Sequence, residues 1–221
     1  MSINASLEYS IVAFVDILGF SEMVRSDCEN VISNARYFEV LKSVNEQTKT
    51  IRKCNITQFS DSVIFSLPLD VDNFYQMVEI LTNYQKDLFL QSIICRGAIS
   101  YGKHYKEEDF MFSQALIEAY KLESKEAIYP RIILSKNLFD YFKPQLNRGL
   151  PHLLCEQDGY QFIDYFSILD KEISKDILVD FNKTMEKYPL NVKEKYFWLF
   201  QYWEYRYSDK LAFSAPRFHT C

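Results

Sequence analysis

The sequence predicts an α+β fold of the ferredoxin-like type, in which an antiparallel sheet is built in the order β-α-β-β-α-β. Three observations predict it. A continuous apolar run over residues 11–16 indicates a buried first strand. Two β-rich runs that flank Ser60, Asp61 and Ser62 indicate a hairpin. Apolar residues at helical spacing fill the segments between the strands, which places helices on one face of the sheet.

The elements follow in chain order. Helical periodicity marks residues 21–49 (as one helix or two in series), 74–88 and 113–125. Strand patterns mark the hairpin at 55–67 and single strands at 92–101 and 131–135, and Gly102 is expected to open a turn. A core of residues 1–145 therefore holds the whole β-α-β-β-α-β unit and a further α-β pair.

The sequence changes character beyond Pro144. Residues 159–166 predict one more strand, and residues 195–207 predict a helix that is aromatic on nearly every face. Such a helix must be buried in the core or against a partner. We therefore expect residues 146–221 to form a C-terminal extension that packs on the core or on a dimer interface, within one structural unit.

Composition excludes several classes of function. The chain of 221 residues has 25 basic and 30 acidic side chains, a net charge of −5. This balance argues against a dedicated binder of nucleic acid or of anionic membranes. No apolar run approaches the roughly 18–20 residues of a membrane span. The 5 cysteines include no C-x-x-C pair, which is typical of a reducing compartment, so we expect a soluble cytoplasmic protein.

Two aspartates carry the chemical argument. Asp16 ends the first strand and Asp61 lies at the hairpin tip, so both reach one edge of the sheet if the hairpin pairs beside a central first strand. Neighbouring carboxylates repel unless a cation lies between them. Mg²⁺ or Mn²⁺ suits one or two carboxylates together with substrate phosphates. The carbonyl of Ile17 is placed to be a further ligand.

The residues after the first strand extend this expectation. Leu18, Gly19, Phe20 and Ser21 form a turn that runs into a helix, where backbone N–H groups can bind phosphate oxygens. A second interpretation stays open, because an aspartate at a strand end is commonly a helix N-cap and one in a hairpin is commonly a turn former.

The motifs around both aspartates resemble those of class III nucleotidyl cyclases over roughly residues 10 to 136. The segments that carry the resemblance are 14–20 (FVDILGF), 59–65 (FSDSVIF), 96–102 (RGAISYG) and 119–124 (AYKLES). The resemblance implies a catalytic domain over residues 1–145 that makes 3′,5′-cyclic nucleotides from nucleoside triphosphates. It further implies two divalent metal ions held by Asp16, Asp61 and the backbone of Ile17, and a site completed across a homodimer interface.

Departures from the family pattern concern the base and the transition state. Purine cyclases have a Lys/Asp pair where this chain has Thr57 and Gln114, and they have an Asn and an Arg where it has Ile117 and Lys121. Thr and Gln side chains both donate and accept hydrogen bonds, so they can match either pyrimidine. Lys121 can keep the charge role of the Arg without its bidentate geometry.

This combination is most similar to the pyrimidine cyclases of the bacterial Pycsar antiphage system, which share the segments 115–123 and 195–199. The resemblance implies UTP (or CTP) as substrate, cyclic UMP (or cyclic CMP) as product, and a separate effector that the product activates. It also implies substrate contacts from residues 18–21, Thr57, Phe59 and Gln114, and charge stabilisation by Lys121 and Arg96.

Simpler interpretations remain for the two cations. Arg96 can be a surface residue of a strand edge, and Lys121 can belong to an exposed charged stripe with Glu118. The alternative function is a degenerate cyclase-homology domain that binds a nucleotide or a partner protein without turnover. The replaced Asn and Arg favour this alternative, whereas the retention of both aspartates opposes it.

Overall fold

The computed structural model describes residues 6–29, 35–52, 54–147, 149 and 152–213. The strands in this part of the chain are β1 (Glu8–Ile17), β2 (Asn55–Phe59), β3 (Ser62–Pro68), β4 (Cys95–Glu107), β5 (Phe110–Ser113), β6 (Ile132–Leu134), β7 (Leu153–Cys155) and β8 (Gln161–Ile163). The helices are α1 (Phe20–Glu29), α2 (Arg36–Arg52), α3 (Val71–Phe89), α4 (Gln114–Glu126), α5 (Lys136–Phe142), α6 (Lys171–Met185) and α7 (Leu190–Tyr207).

The strands form one mixed sheet in the order β2-β3-β1-β4-β6-β8-β7, with β5 paired to the far end of β4. Each of the first four strands is antiparallel to its neighbours among them, and β1 lies between β3 and β4. This is the strand order of the ferredoxin-like unit, so the predicted α+β fold is confirmed. Strand β6 extends the sheet by pairing parallel to β4.

Helices cover both faces of the sheet, which corrects the expectation of one covered face. Ile99 of β4 belongs to an apolar cluster with α2, α3 and α5, whereas its neighbour Ala98 belongs to a second cluster with α6 and α7. Helix α4 also packs on this second side, where Tyr120 meets Phe14 of β1 edge to face at 5.4 Å between ring centroids. Successive strand residues point to opposite faces, so a strand apolar at both positions needs two layers.

Several elements differ from the sequence prediction in extent. Strand β4 continues through Gly102 to Glu107, so Gly102 opens no turn. A Cβ at this position would lie 3.2 Å from the amide nitrogen of Ala115, so the glycine lets α4 approach the strand. The last predicted strand shortens to β8 and is followed by a 3₁₀ turn, and α5 and α6 were not predicted.

The segment predicted as one helix or two contains α1 and α2, and residues 30–34 of this segment lie outside the described part. Helix α7 buries Trp198, Leu199, Phe200 and Trp203 in the second cluster. Across the described residues, no helix has both the length and the apolar character that a membrane crossing requires.

Candidate active site

The backbones of the two aspartates lie next to each other in space at one end of the sheet. Asp16 is the penultimate residue of β1 and lies opposite Ser62 in the register with β3. Asp61 is the second residue of the two-residue turn that joins β2 to β3, and the amide of Ile17 donates to its carbonyl oxygen at 2.9 Å. Ser60, the first residue of the turn, has a φ of 57°, the left-handed conformation that tight hairpins use.

The Asp16 carboxylate is paired with a guanidinium group. Asp16 and Arg96 are opposite each other in the pairing of β1 with β4, so their side chains leave the same face of the sheet. Arg96 Nε donates to Asp16 Oδ2 at 3.1 Å and lies 2.7 Å from Glu123 Oε1 of α4. Arg96 is therefore an ion-pair partner of a candidate metal ligand, not a surface residue of a strand edge.

Glu123 and Lys195 complete this charge cluster. The side chain of Glu123 is 3% exposed, and burial raises the pKa of its carboxyl group. Lys195 of α7 is half-buried near Asp16, Arg96 and Glu123; burial lowers its pKa, and the positive charge of Arg96 acts in the same direction. The cluster brings two acids and two bases together, and its last member comes from the C-terminal extension.

The turn between β1 and α1 uses one of its amides internally. The Leu18 amide donates to the Ile94 carbonyl at 2.9 Å, so it is occupied by the sheet and not directed to a ligand. Gly19 has a φ of 80° and stands directly before α1. Gly19 precedes the helix and Phe20 and Ser21 begin its first turn, where N–H groups lack intrahelical acceptors. The expected phosphate-binding turn reduces to these three residues.

Thr57 is hydrogen-bonded to a lysine that the sequence analysis did not single out. The ammonium of Lys106, near the end of β4, donates a hydrogen bond to the hydroxyl of Thr57 on β2. Phe59, two residues further along β2, is 81% exposed. Sequence reasoning missed Lys106 because Gly102 was expected to end the strand. A longer strand pattern would have placed Lys106 on β4 but not beside Thr57, since β3 and β1 lie between β2 and β4.

Gln114 and Lys121 line a separate cleft. Its volume is about 580 Å³, and its wall includes Tyr9, Ser100, Gln114, Lys121 and Tyr160 but neither aspartate. Lys121 Nζ lies 3.3 Å from Glu118 Oε1, and both side chains are more than half exposed. Within one chain the predicted site residues therefore lie in two separate places. The aspartates and Arg96 are together at the end of the sheet, and Gln114 and Lys121 are together in the cleft.

The donors at the aspartates suit a hard divalent cation only in part. Among the described residues, no three His, Cys, Asp or Glu side chains are grouped so that they could hold a metal. The Asp61 carboxylate receives one long contact in the described part of the chain, from Ser62 Oγ at 3.5 Å. Two carboxylates and a main-chain carbonyl are oxygen ligands of the kind that Mg²⁺ or Mn²⁺ combines with phosphates and water. The residues fit such an ion when substrate supplies the remaining ligands.

Comparison with known proteins gives a fold. No protein-family profile matches the sequence, and no curated protein is significantly similar to it. The adenylyl cyclase CyaB from P. aeruginosa superposes with a TM-score of 0.54 at 16% identity, over 73% of this chain and 97% of the cyclase chain. The catalytic core of a rhodopsin-guanylyl cyclase with converted specificity, in complex with ATPαS, gives 0.53 at 14% identity, over 73% and 98%. The chain therefore has the fold of nucleotidyl cyclase catalytic domains.

Proposed function

We propose that the chain is a class III nucleotidyl cyclase that converts UTP, or secondarily CTP, to the 3′,5′-cyclic nucleotide and pyrophosphate. The observation that carries the proposal is the adjacency of Asp16 and Asp61, which the bond from Ile17 to Asp61 fixes, in a chain with a cyclase fold. This main-chain adjacency brings two carboxylate-bearing residues to one end of the sheet, where their oxygens could serve as ligands of a hard divalent cation.

Asp16, Asp61 and the carbonyl of Ile17 would hold two Mg²⁺ or Mn²⁺ ions. When bound, such ions lower the pKa of an attacking hydroxyl and neutralise phosphate charge. The chain's own residues then position the substrate. The amides of Gly19, Phe20 and Ser21 would donate to oxygens of the β- and γ-phosphates. The ribose 3′-hydroxyl would then give its proton to water and bond to the α-phosphorus, while the bond from that phosphorus to the pyrophosphate oxygen breaks.

Pyrimidine preference is supported by the groups at the two base-reading positions. Thr57 and Gln114 replace fixed charges with groups that donate and accept. Lys106 brings an additional donor to Thr57. Uracil presents two carbonyl oxygens and cytosine one, so a donor-rich pocket favours UTP.

A homodimer is supported by the division of the site residues. Gln114 and Lys121 line a cleft without the aspartates, so a second copy would supply one group to the other. Lys121 and Arg96 are the candidate charge stabilisers in the composite site. By the resemblance to the Pycsar enzymes, we extend the proposal to a cytoplasmic signal generator whose product activates a separate effector in antiphage defence.

A second candidate is a cyclase-homology domain that binds a nucleotide or a partner without turnover. The observation in its favour is the Asp16–Arg96 ion pair, since a guanidinium group occupies an oxygen that a metal ion would need. Ile117, in the position of the family's Asn, favours it as well because an aliphatic side chain cannot orient a ribose.

One experiment separates the two candidates. The purified protein is incubated with Mn²⁺ and each of the four nucleoside triphosphates, and the products are resolved by chromatography. We expect cyclic UMP as the main product, cyclic CMP second. Binding of a nucleotide without any cyclic product from all four would establish the second candidate.

A further inference from the structure

Glu123 is a buried acid at the edge of the candidate metal site that the proposed chemistry does not use. Its Oε1 lies 2.7 Å from Arg96 Nε, yet the N–H of that nitrogen is directed to Asp16 Oδ2. In the described part of the chain, this buried Oε1 accepts no aligned hydrogen bond. An unsatisfied buried carboxylate oxygen is costly, and a small rotation of the guanidinium group would satisfy it.

Glu123 is itself held in place. It belongs to α4, and Ser124 Oγ donates to its other oxygen, Oε2, at 3.1 Å. Ala115 and Ala119 of the same helix are fully buried against the sheet. The acceptor is therefore fixed, whereas the Arg96 side chain is 25% exposed and has room to turn.

A divalent cation and Arg96 cannot share the Asp16 carboxylate at low cost. Both are positive, and the Asp16 side chain is only 20% exposed, so their mutual repulsion is weakly screened. Whatever energy Arg96 gains from Asp16 is lost when an ion displaces it, unless another acid receives the guanidinium group.

We propose that Glu123 is a positioning residue that takes over Arg96 when a divalent cation binds to Asp16. Without the cation, Arg96 Nε donates to Asp16; with it, the same N–H turns to Glu123 Oε1, and the terminal nitrogens of Arg96 stay available for the charge role proposed above. The inference rests on the proposed function, because it requires that Asp16 bind a metal ion. It assigns Glu123 no contact with substrate.

The test is a set of Mn²⁺ titrations in which free Mn²⁺ is measured by electron paramagnetic resonance, without nucleotide and without an activity assay. Removal of the competitor in Arg96→Met should tighten Mn²⁺ binding, and Glu123→Gln should weaken it because Arg96 then stays on Asp16. Each change should be about two- to fivefold in Kd, the size expected when a partly exposed ion pair is lost. Glu126→Gln, an exposed acid one turn along α4, is the matched control and should match wild type.

The double variant decides the mechanism. In the Arg96→Met background, Glu123→Gln should lose most of its effect, because no guanidinium group remains to be received. An equal weakening in both backgrounds would mean that Glu123 acts only as a nearby negative charge, and the inference would be wrong. No change in either single variant would also overturn it.

Two controls keep these outcomes interpretable. If Asp16→Asn binds as much Mn²⁺ as the wild-type protein, the metal site is absent and the proposed function fails with it. If Asp16→Asn does remove Mn²⁺ binding but the variants of Arg96 and Glu123 all bind Mn²⁺ as the wild type does, only the role of Glu123 fails. Thermal unfolding checks each variant, and Arg96→Met alone still tests the competition should Glu123→Gln not fold.

Discussion

The amide of Ile17 donates to the carbonyl oxygen of Asp61 at 2.9 Å, and this bond joins the end of β1 to the turn of the β2–β3 hairpin. It is a main-chain bond, so it fixes the positions of Asp16 and Asp61 whatever rotamers their side chains adopt. Side-chain substitutions at either aspartate should therefore leave this corner of the sheet intact and report on chemistry.

Replacement of either aspartate by asparagine should abolish cyclic nucleotide formation. Asp16→Asn and Asp61→Asn each remove one carboxylate charge from the proposed metal site, and we expect product formation with Mn²⁺ to fall by about a hundredfold or more. Chromatography of the reaction with UTP measures it, with circular dichroism as the folding check. Asp140→Asn, an exposed acid of α5, is the control. Wild-type rates in either site variant would remove that aspartate from the mechanism.

Removal of the Lys121 cation should lower kcat more than it raises KM. The ammonium group is exposed beside Glu118 in the free chain, so it contributes little to the ground state and acts only where charge develops. Initial rates of Lys121→Ala over a range of UTP concentrations separate the two constants. An unchanged kcat would exclude Lys121 from catalysis.

The division of the site between two copies gives the same variant a second use. Lys121→Ala and Asp61→Asn, each of low activity alone, should recover activity when unfolded and refolded together, because a mixed dimer contains one composite site with both groups intact. About a quarter of the wild-type rate is the upper expectation for random pairing, since half of the dimers are mixed and each has one intact site. Absence of recovery would place the two residues in one chain's site.

Lys106 should contribute to nucleotide binding. Its ammonium group bonds Thr57 at the position where the base is expected, so Lys106→Met should raise KM for UTP by about three- to tenfold with a smaller effect on kcat. Lys103→Met, a cation three residues earlier on β4 that lies over the ring of Tyr9, is the matched control. If the two changes had equal effects on KM, Lys106 would contribute only through its positive charge and not through a specific contact with the base.

Local patterns predicted the parts of this site that depend on local structure. The apolar run of β1 and the turn residues of the hairpin brought Asp16 and Asp61 together in prediction, because strand pairing follows from alternation and turn chemistry. The partnership of Arg96 with Glu123 could not be predicted, since it depends on how α4 is rotated over the sheet. A second covered face was implied by the continuous apolar runs of β1 and β6, but local patterns did not show that α6 and α7 would cover it.

Acid should destabilise the chain through His104. This side chain is buried between β4 and α4, with Nδ1 2.8 Å from the hydroxyl of Ser113, the N-cap of α4. Burial lowers the pKa of His104 below the usual 6.5, and the charge of Lys106 acts in the same direction. Below pH 6.5 the unfolded chain therefore binds a proton at this histidine that the folded chain does not bind. The free energy of unfolding decreases as the pH is lowered from 6.5 to the pKa of His104 in the folded chain.

Urea unfolding between pH 5 and pH 8 measures this loss. His104→Asn should flatten the dependence on pH in the window below 6.5, because the group that binds the extra proton in the unfolded state is gone. His152→Asn also removes a 2.8 Å contact between a histidine and a serine, so it controls for loss of the bond itself. A slope in the His104 variant as steep as in wild type would assign the acid sensitivity to other groups.

The packing of the C-terminal extension on the core should depend on Arg131. This arginine precedes β6, is 1% exposed, and forms ion pairs with Glu156 and Asp158 of the β7–β8 hairpin. Glu156 in turn accepts a hydrogen bond at 3.0 Å from the indole nitrogen of Trp198 in α7. Arg131→Met leaves both acids without their cation next to apolar surface, and we expect a loss of about 2–4 kcal/mol in the free energy of unfolding.

The magnitude follows from the unequal burial of the partners. Glu156 and Asp158 are 26% and 40% exposed, so water can solvate them in part, and the cost stays below that of a fully buried orphaned charge. Urea unfolding followed by tryptophan fluorescence measures it, because Trp198 lies within the affected network. Glu156→Gln keeps a polar partner for Trp198 and should cost less than Arg131→Met. If Arg131→Met were as stable as wild type, the extension would be held by its apolar contacts alone, and the ion pairs would only set the position of the hairpin.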